Sequence, residues 1–344
     1  MRIGVWNTAF LGDATLTLPL LQSLRLRYPG ARIDYYVRSG LERLFAPHPA
    51  VNSVYGYVKN TGLGGMLKIA GEIRSRRYEL WVSAHASARS GLISLLGKGL
   101  TRIGYDRPFF NRLLYSQVVG RRFGEVDETD CLLELLRPLG EGPVSPWPEI
   151  HPDAEAGEKA AAFFAEIGTP VLGLHPGSVW ATKRWPADFF AEIGRRAIKE
   201  GAYVLIFAGK GEEDLARRVQ EAILHGGGAV ADHLGKRLKN LAGQLSLPEL
   251  AAFFARLTCC LTNDSGPMHL VWTQKVPLTA VFGPTVRSFG FFPRGEASTV
   301  IELPLDCRPC GLHGHVVCPL QHHNCMTQIT PDMVWSDVKV KLLH

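Results

Sequence analysis

Residues 170–209 have the sequence "PVLGLHPGSVWATKRWPADFFAEIGRRAIKEGAYVLIFAG". It begins with an apolar run and a loop of small residues at 175–178. An amphipathic helical pattern then runs from Pro186 to just before Gly201, and a second apolar run follows. Proline near the first turn and glycine past the last turn are typical helix boundaries. A helix between two buried strands predicts a parallel βαβ unit.

The same alternation extends over the whole chain and predicts an α/β fold. "MRIGVWN", "ARIDYYV", "YELWVSA" and "TRIGY" are strand patterns in the first half, and "CCLTNDSG" and "PLTAVFGPT" are strand patterns in the second. Residues 138–152 contain five prolines and two glycines, which predicts an interdomain linker. We therefore expect two Rossmann-like domains, 1–150 and 151–330, facing a cleft.

Composition and charge narrow the function classes. Charged residues make up 20% of the 344 residues, which is close to the average of soluble proteins and argues against global disorder. The seven cysteines are an odd number, so a disulfide framework is disfavoured. The N-terminal stretch has no apolar signal region, and no apolar stretch is long enough to span a bilayer, which predicts a cytoplasmic protein. Residues 1–123 carry 18 basic and 6 acidic residues, which favours an acidic partner or an unspecific solvated surface.

Ligands of open α/β sheets bind beyond the carboxyl ends of the strands, so the loops that follow the strands are the candidate site. In "HPGSVWATKRWP", Ser178 and Thr182 supply hydroxyls and Lys183 a point charge, a set that suits a pyrophosphate. The alternative is an ordinary loop with a surface lysine.

The loop "FAGKGEED" has two glycines of a dinucleotide fingerprint but Asp214 at the third position. Glu212 and Glu213 are candidates for binding ribose hydroxyls, or they are acids that favour the helix dipole.

"LTNDSGPMHL", residues 261–270, resembles a serine-protease segment, but its α/β context and its missing glycines argue against a nucleophilic serine. Asp264 can instead accept from a sugar hydroxyl, and the amides of Ser265 and Gly266 can donate to a phosphate. His269 completes the candidate substrate-binding set of this segment.

Gly12 and Asp13 follow the first strand. A carboxylate at this position can act as a general base, or as the N-cap of a helix that begins at Ala14. Near the C-terminus, Cys307, Cys310, Cys318 and Cys325 stand among histidines with a C-x2-C pair. Zinc binding and a packed, reduced loop are both open for this tail, and we assign it no metal.

Taken together, "GDATLTLPLLQSLRLRYPGARIDYYV", "HPGSVWATKRWP", "AGKGEED", "NDSGPMHL", "VFGPT" and the cysteine-bearing tail resemble the ADP-heptose:lipopolysaccharide heptosyltransferases. The tail is more similar to the second-heptose type than to the first. The resemblance implies a GT-B glycosyltransferase, with the acceptor on the first domain and the nucleotide sugar on the second. It also implies a last helix, residues 331–344, that could pack back on the first domain. It implies an inverting, metal-independent transfer to the inner core of lipopolysaccharide, without a cofactor.

The resemblance also implies roles for individual residues. Asp13 falls at the catalytic base, and Lys183 at the lysine on the ADP phosphates. Asp264 falls at the acid that contacts the heptose, and Glu212 or Glu213 at the ribose-binding acid. We expect peripheral contact with the anionic inner leaflet through the basic first half. Another nucleotide sugar or saccharide acceptor, a nucleic-acid-binding α/β protein and a dinucleotide oxidoreductase are the competing interpretations.

Overall fold

The computed structural model describes residues 1–59, 61–225 and 231–343, and it divides the chain into two compact units, Met1–Pro152 and Asp153–His344. Residue 344, the last of the expected terminal segment, lies outside the described residues. Among the described residues, no helix combines the length and the apolar character that crossing a membrane requires.

The first unit is a six-stranded parallel sheet flanked by helices. Its strands are β1 Arg2–Asn7, β2 Arg32–Arg38, β3 Ser53–Tyr57, β4 Leu80–Ser83, β5 Thr101–Tyr105 and β6 Gln117–Val119. Its helices are α1 Leu11–Leu16, α2 Leu18–Arg27, α3 Glu42–Phe45, α4 Gly62–Ser75, α5 Ala88–Leu96, α6 Asn111–Leu114 and α7 Glu128–Leu133, followed by a 3₁₀ turn at Glu134–Leu139.

The second unit contains another six-stranded parallel sheet. Its strands are β7 Val171–His175, β8 Tyr203–Ile206, β9 Leu238–Asn240, β10 Cys259–Asn263, β11 Leu278–Val281 and β12 Ser298–Ile301. Its helices are α8 Ala154–Ala165, α9 Ala187–Lys199, α10 Glu213–His225, α11 Ala231–Lys236, α12 Leu247–Phe254, α13 Gly266–Trp272, α14 Asn324–Thr327 and α15 Pro331–Leu343. Short 3₁₀ turns lie at Ala181–Lys183 and Arg287–Phe289.

The two sheets share one topology. The first has the order β3-β2-β1-β4-β5-β6, and the second, read from its other edge, has the equivalent order β9-β8-β7-β10-β11-β12. This is the doubly wound Rossmann order, in which the strand sequence reverses direction at the centre of the sheet. The reversal falls between β1 and β4 in the first unit and between β7 and β10 in the second. The predicted α/β fold with two Rossmann-like domains is confirmed.

The predicted βαβ unit at 170–209 is β7, α9 and β8. The sheet-facing side of α9 is buried, with Phe190, Ile193 and Ala197 inaccessible to solvent. The chain leaves this helix through Gly201, whose φ of +89° lies in the region that glycine occupies without steric cost. In the first unit the core is aromatic, with Trp6 and Trp81 packed beside Tyr36.

The predicted linker, residues 138–152, ends at the boundary between the two units. It is held on the first unit, because the side-chain amide of Gln22 in α2 bonds Ser145, Trp147 and Glu149. The terminal helix α15 belongs to the second unit. Val334, Val338 and Leu342 lie one turn apart and enter the core of the second unit beside α9, which buries the apolar face of α15.

Candidate active site

The predicted site residues lie beyond the carboxyl ends of strands that are at or beside the two points of strand reversal. Asp13 and Gly12 follow β1 in the first unit. The remaining predicted residues follow β7, β8 and β10 in the second unit: Ser178, Thr182, Lys183, Glu212, Glu213, Asp264, Ser265, Gly266 and His269. A reversal point leaves a crevice outside the sheet, because the helices that follow the two central strands cross to opposite faces.

Lys183 and Asp264, which are 81 residues apart in sequence, form an ion pair in the second unit. The Lys183 ammonium lies 2.5 Å from Oδ2 of Asp264, and the hydroxyl of Thr285 donates to the same oxygen at 2.6 Å. The side chains of Lys183 and Asp264 are only 12% and 8% exposed. Removing water strengthens the attraction between the two charges, so each side chain fixes the position of the other. Thr285 was not among the predicted residues, although its "FGPT" loop follows β11.

A side chain at the end of β10 joins the two loops that carry this pair. The Asn263 amide donates to the carbonyl of Pro176 at 2.8 Å and accepts from the backbone N–H of Trp185 at 3.0 Å. The hydroxyl of Ser178 lies 3.5 Å from the carbonyl oxygen of Asp264. The loop after β7 is therefore bound to the loop after β10 on both sides of Lys183.

Glu212 lies against the loop after β7. A Cβ atom at Gly177 would come within 2.1 Å of the Glu212 carboxylate, so glycine leaves room for this acid in the position that it occupies. The same carboxylate accepts from the Gly209 amide at 3.2 Å and lies 3.6 Å from the Arg184 guanidinium. Glu213 is more exposed, and it accepts from the amide two residues before it. Of the two candidate acids, Glu212 is the one beside the "HPGS" loop.

The segment after β10 turns directly into helix α13. Ser265 is the extended residue before the helix, and Gly266 is its first residue. His269, on this helix, is 3% exposed, and its Nδ1 accepts from the Trp272 indole at 3.0 Å. Burial lowers the pKa of His269 to about 4, against the opposing charge of Asp264. The imidazole is therefore neutral at physiological pH and carries its hydrogen on Nε2.

Thr182 holds the C-terminal tail loop, residues 307–323, on the turn that carries Lys183. Its hydroxyl donates to the carbonyl of His315 at 2.8 Å and accepts from the amide of His315 at 2.7 Å. The ring of His323 bonds the Thr182 carbonyl at 2.8 Å. The sequence predicts that the Thr182 hydroxyl binds a pyrophosphate, but in the structure this hydroxyl is hydrogen-bonded to the tail loop. No group of three or more His, Cys, Asp or Glu side chains is placed to hold a metal ion in the part of the chain that the structure describes.

Asp13 does not cap a helix that begins at Ala14, because α1 already begins at Leu11. Asp13 is the third residue of this helix, and its carboxylate accepts from the Phe10 N–H at 3.2 Å. Its carbonyl accepts from the hydroxyl of Thr17 at 2.8 Å. The first turn is therefore closed by the Asp13 side chain from within the helix, since Phe10 offers no side-chain oxygen.

Other ionisable groups of the first unit lie within electrostatic range of Asp13. Burial and neighbouring cations lower the pKa of Lys59, and Asp13 opposes this shift. Burial raises the pKa of Glu128 to about 7, and Asp13 adds to the shift. Arg121 bonds both carboxylate oxygens of Glu128, at 2.9 and 2.8 Å. None of these three residues was predicted, because each comes from a different loop or helix of the unit.

The chain has two Rossmann-like domains, with a lysine–aspartate pair at the reversal point of the second, and this is the architecture of GT-B glycosyltransferases. A profile of glycosyltransferase family 9 (heptosyltransferase) matches residues 66–317, well over half of the chain. The chain belongs to this family.

Individual relatives agree with this assignment. The chain is 25% identical to lipooligosaccharide heptosyltransferase 2 of Haemophilus influenzae, with 97% of each chain covered. It is 30% identical to the Campylobacter jejuni protein of the same name, but it spans about half the length of that relative (51%). The structure of E. coli ADP-heptose lps heptosyltransferase II superposes with a TM-score of 0.79 at 23% identity, covering 100% of this chain and 99% of that one.

Proposed function

We propose that this protein transfers L-glycero-D-manno-heptose from ADP-heptose to the inner core of lipopolysaccharide, with inversion at the anomeric carbon. The observation that carries the proposal is the Lys183–Asp264 pair at the reversal point of the second unit, in a chain of the heptosyltransferase family. A buried cation next to a buried carboxylate offers separate partners for a diphosphate and for a sugar hydroxyl.

The second unit binds the donor. The ammonium of Lys183 has three hydrogens, so it can bond a diphosphate oxygen while it stays bonded to Asp264. The second oxygen of Asp264 accepts from a heptose hydroxyl. The amides of Ser265 and Gly266 lie at the start of α13, where the first amides of a helix have no partner within it, and they donate to phosphate.

The remaining donor contacts come from the loops after β7 and β8. Glu212 accepts from ribose hydroxyls, because it lies beside the "HPGS" loop. The Ser178 hydroxyl of that loop donates to the diphosphate. His269 stays neutral, and its Nε2–H is a hydrogen-bond donor for the sugar. Thr182 acts by positioning Lys183, since its hydroxyl is bonded to His315.

The first unit binds the acceptor and supplies the base. As the acceptor hydroxyl forms a bond to the anomeric carbon, the bond between that carbon and ADP breaks, and Asp13 takes the hydroxyl proton. The Phe10 N–H holds the Asp13 carboxylate in place. A positioned base contributes about 10²–10⁴-fold to the rate.

The protein acts at the cytoplasmic face of the inner membrane by peripheral contact. The inner-core acceptor is anionic, and the first 123 residues carry a net charge of +12. A basic side chain near an anionic leaflet contributes about 1 kcal/mol to binding. Charge therefore holds the enzyme where its acceptor is anchored.

Measuring nucleotide release from a donor panel tests this proposal. ADP-heptose, a GDP-sugar and a UDP-sugar are each offered with Kdo-lipid A and with heptosyl-Kdo-lipid A. We expect turnover with ADP-heptose, and preferentially with the heptosylated acceptor. Turnover with the GDP- or UDP-sugar but not with ADP-heptose refutes the donor assignment, and transfer to neither acceptor refutes the acceptor class.

A further inference from the structure

An open cavity of about 550 Å³ lies on the surface of the first unit among α4, α5 and α6. Most of its lining is apolar, and Arg89 stands in its wall. Leu63 and Met66 of α4, Leu92 of α5, and Phe110 and Leu114 supply the large apolar side chains of the lining. The donor site in the second unit uses none of these residues, and Asp13 is not among them.

Large apolar side chains face solvent on the segments that line this cavity. Leu63 is 73% exposed, Phe109 is 83% exposed and Leu113 is 82% exposed, and Leu67 follows Leu63 by one helical turn at 57%. The ring centroids of Phe109 and Phe110 lie 5.8 Å apart in an edge-to-face arrangement. We call this group of residues, with the cavity, the α4–α6 patch. Several large apolar side chains exposed beside one apolar cavity are typical of an interaction site.

The charges around the α4–α6 patch indicate what covers it. Residues 58–115 contain ten Lys and Arg but three Asp and Glu. Lys68, Arg89, Arg107 and Arg112 are exposed on the same segment. A second copy of this chain would bring an equally basic rim against this one, and the like charges would repel. An apolar centre with a cationic rim is instead the composition of surfaces that lie in the headgroup region of anionic bilayers.

The α4–α6 patch is also continuous with the surroundings of Asp13. The guanidinium of Arg89, in the wall of the cavity, donates to the backbone carbonyl of Lys59. The ammonium of Lys59 lies within electrostatic range of Asp13. A bilayer on this patch would therefore present the sugar of a lipid-anchored acceptor on the side of the unit where the proposed base lies.

We propose that the α4–α6 patch docks on an anionic bilayer, with Leu63, Phe109 and Leu113 in the boundary between headgroups and acyl chains. The role of this docking, which is to bring the enzyme to a lipid-anchored acceptor, rests on the proposed function. The docking itself goes beyond charge attraction, because it assigns the membrane contact to particular apolar side chains.

Vesicle co-sedimentation tests it with the full chain. Wild type is mixed with phosphatidylcholine vesicles, with or without roughly 30% phosphatidylglycerol, at low and high salt. It is compared with the variant Leu63→Gln/Phe109→Ser/Leu113→Gln. The matched control is Leu26→Gln/Met333→Gln/Val340→Gln, which removes three apolar side chains that are 52%, 40% and 58% exposed elsewhere.

We expect wild type to bind the anionic vesicles and the patch variant to bind at least about 30-fold more weakly, since each buried apolar side chain contributes to partitioning. The control should bind like wild type, and all three proteins should melt alike. Equal binding of the patch variant and wild type overturns the inference, as does absence of wild-type binding. A dimer that only the patch variant dissociates also overturns it, because the occupant is then a second copy.

A second measurement separates this inference from the proposed function. Heptosyl transfer is followed with the acceptor embedded in vesicles and with the delipidated inner-core saccharide in solution. The patch variant should lose transfer to the embedded acceptor and keep transfer to the saccharide. If wild type transfers heptose to neither acceptor, the proposed function fails, and the vesicle binding still decides the role of the α4–α6 patch.

Discussion

Replacing Lys183 by methionine separates the two roles that its ion pair with Asp264 combines. Methionine keeps the apolar stem but removes the ammonium, and the carboxylate of Asp264, 8% exposed, keeps the Thr285 hydroxyl as a side-chain donor. Breaking a buried pair costs about 3–5 kcal/mol. Because Lys183 is 12% exposed and Thr285 still donates, we expect a loss of about 2–3 kcal/mol in the free energy of unfolding.

The same substitution removes one charge-assisted hydrogen bond to the diphosphate. Such a bond contributes about 1.5–3 kcal/mol, which corresponds to a loss of about ten- to a hundred-fold in ADP affinity and in kcat/KM. Adding Asp264→Asn to Lys183→Met removes the unpaired charge. The double variant should regain more than half of the lost stability, but its affinity for ADP should stay low.

Urea unfolding and calorimetric ADP titration of both single variants and the double variant complete the cycle, with Lys199→Met on the exposed side of α9 as control. If the double variant regains ADP affinity together with stability, the contribution of Lys183 is structural. If Lys183→Met binds ADP like wild type, Lys183 does not contact the diphosphate.

Three further predictions follow from the second unit. Gly177→Ala should displace the Glu212 carboxylate and weaken binding of ADP more than binding of inorganic pyrophosphate, and equal weakening would remove Glu212 from the ribose. His269 has a folded pKa of about 4 against an ordinary 6.5, so the unfolded chain binds its proton first, and stability should fall by up to ~3 kcal/mol as the pH falls from 6.5 to 4. In urea unfolding at several pH values, His269→Asn should show a smaller fall than wild type, since asparagine can accept from Trp272 without titrating, and an unchanged pH profile would contradict the pKa. Thr182→Val should speed proteolysis of the tail loop while Thr182→Ser should not, and equal cleavage of both variants would contradict the hydroxyl contact.

The loops of the site were predictable because their positions depend only on strand order. Apolar runs mark the strands, and in parallel sheets the loops that follow them meet at one edge, so Lys183 and Asp264 were both identified. Their pairing was not predictable, because 81 residues separate them and no local pattern connects them. Thr285 was missed for the same reason.

Other differences have local causes. The start of α1 was misplaced because Phe10 has no capping side chain, and the cap comes from Asp13 inside the helix. The packing of residues 138–152 depends on Gln22 in another helix, although their composition is that of a linker. Lys59 and Glu128 were missed because their environment exists only when distant segments fold together.

The single-turnover rate of heptosyl transfer by Asp13→Asn shows whether Asp13 is the catalytic base. Asparagine keeps an oxygen that accepts from the Phe10 N–H, which is 3.2 Å from the carboxylate, but it cannot take the acceptor proton. We predict a rate at least ~10²-fold lower than that of wild type, with ADP affinity and melting temperature close to wild type. A variant that melts early while its transfer rate survives would show that Asp13 stabilises α1 and that another group is the base.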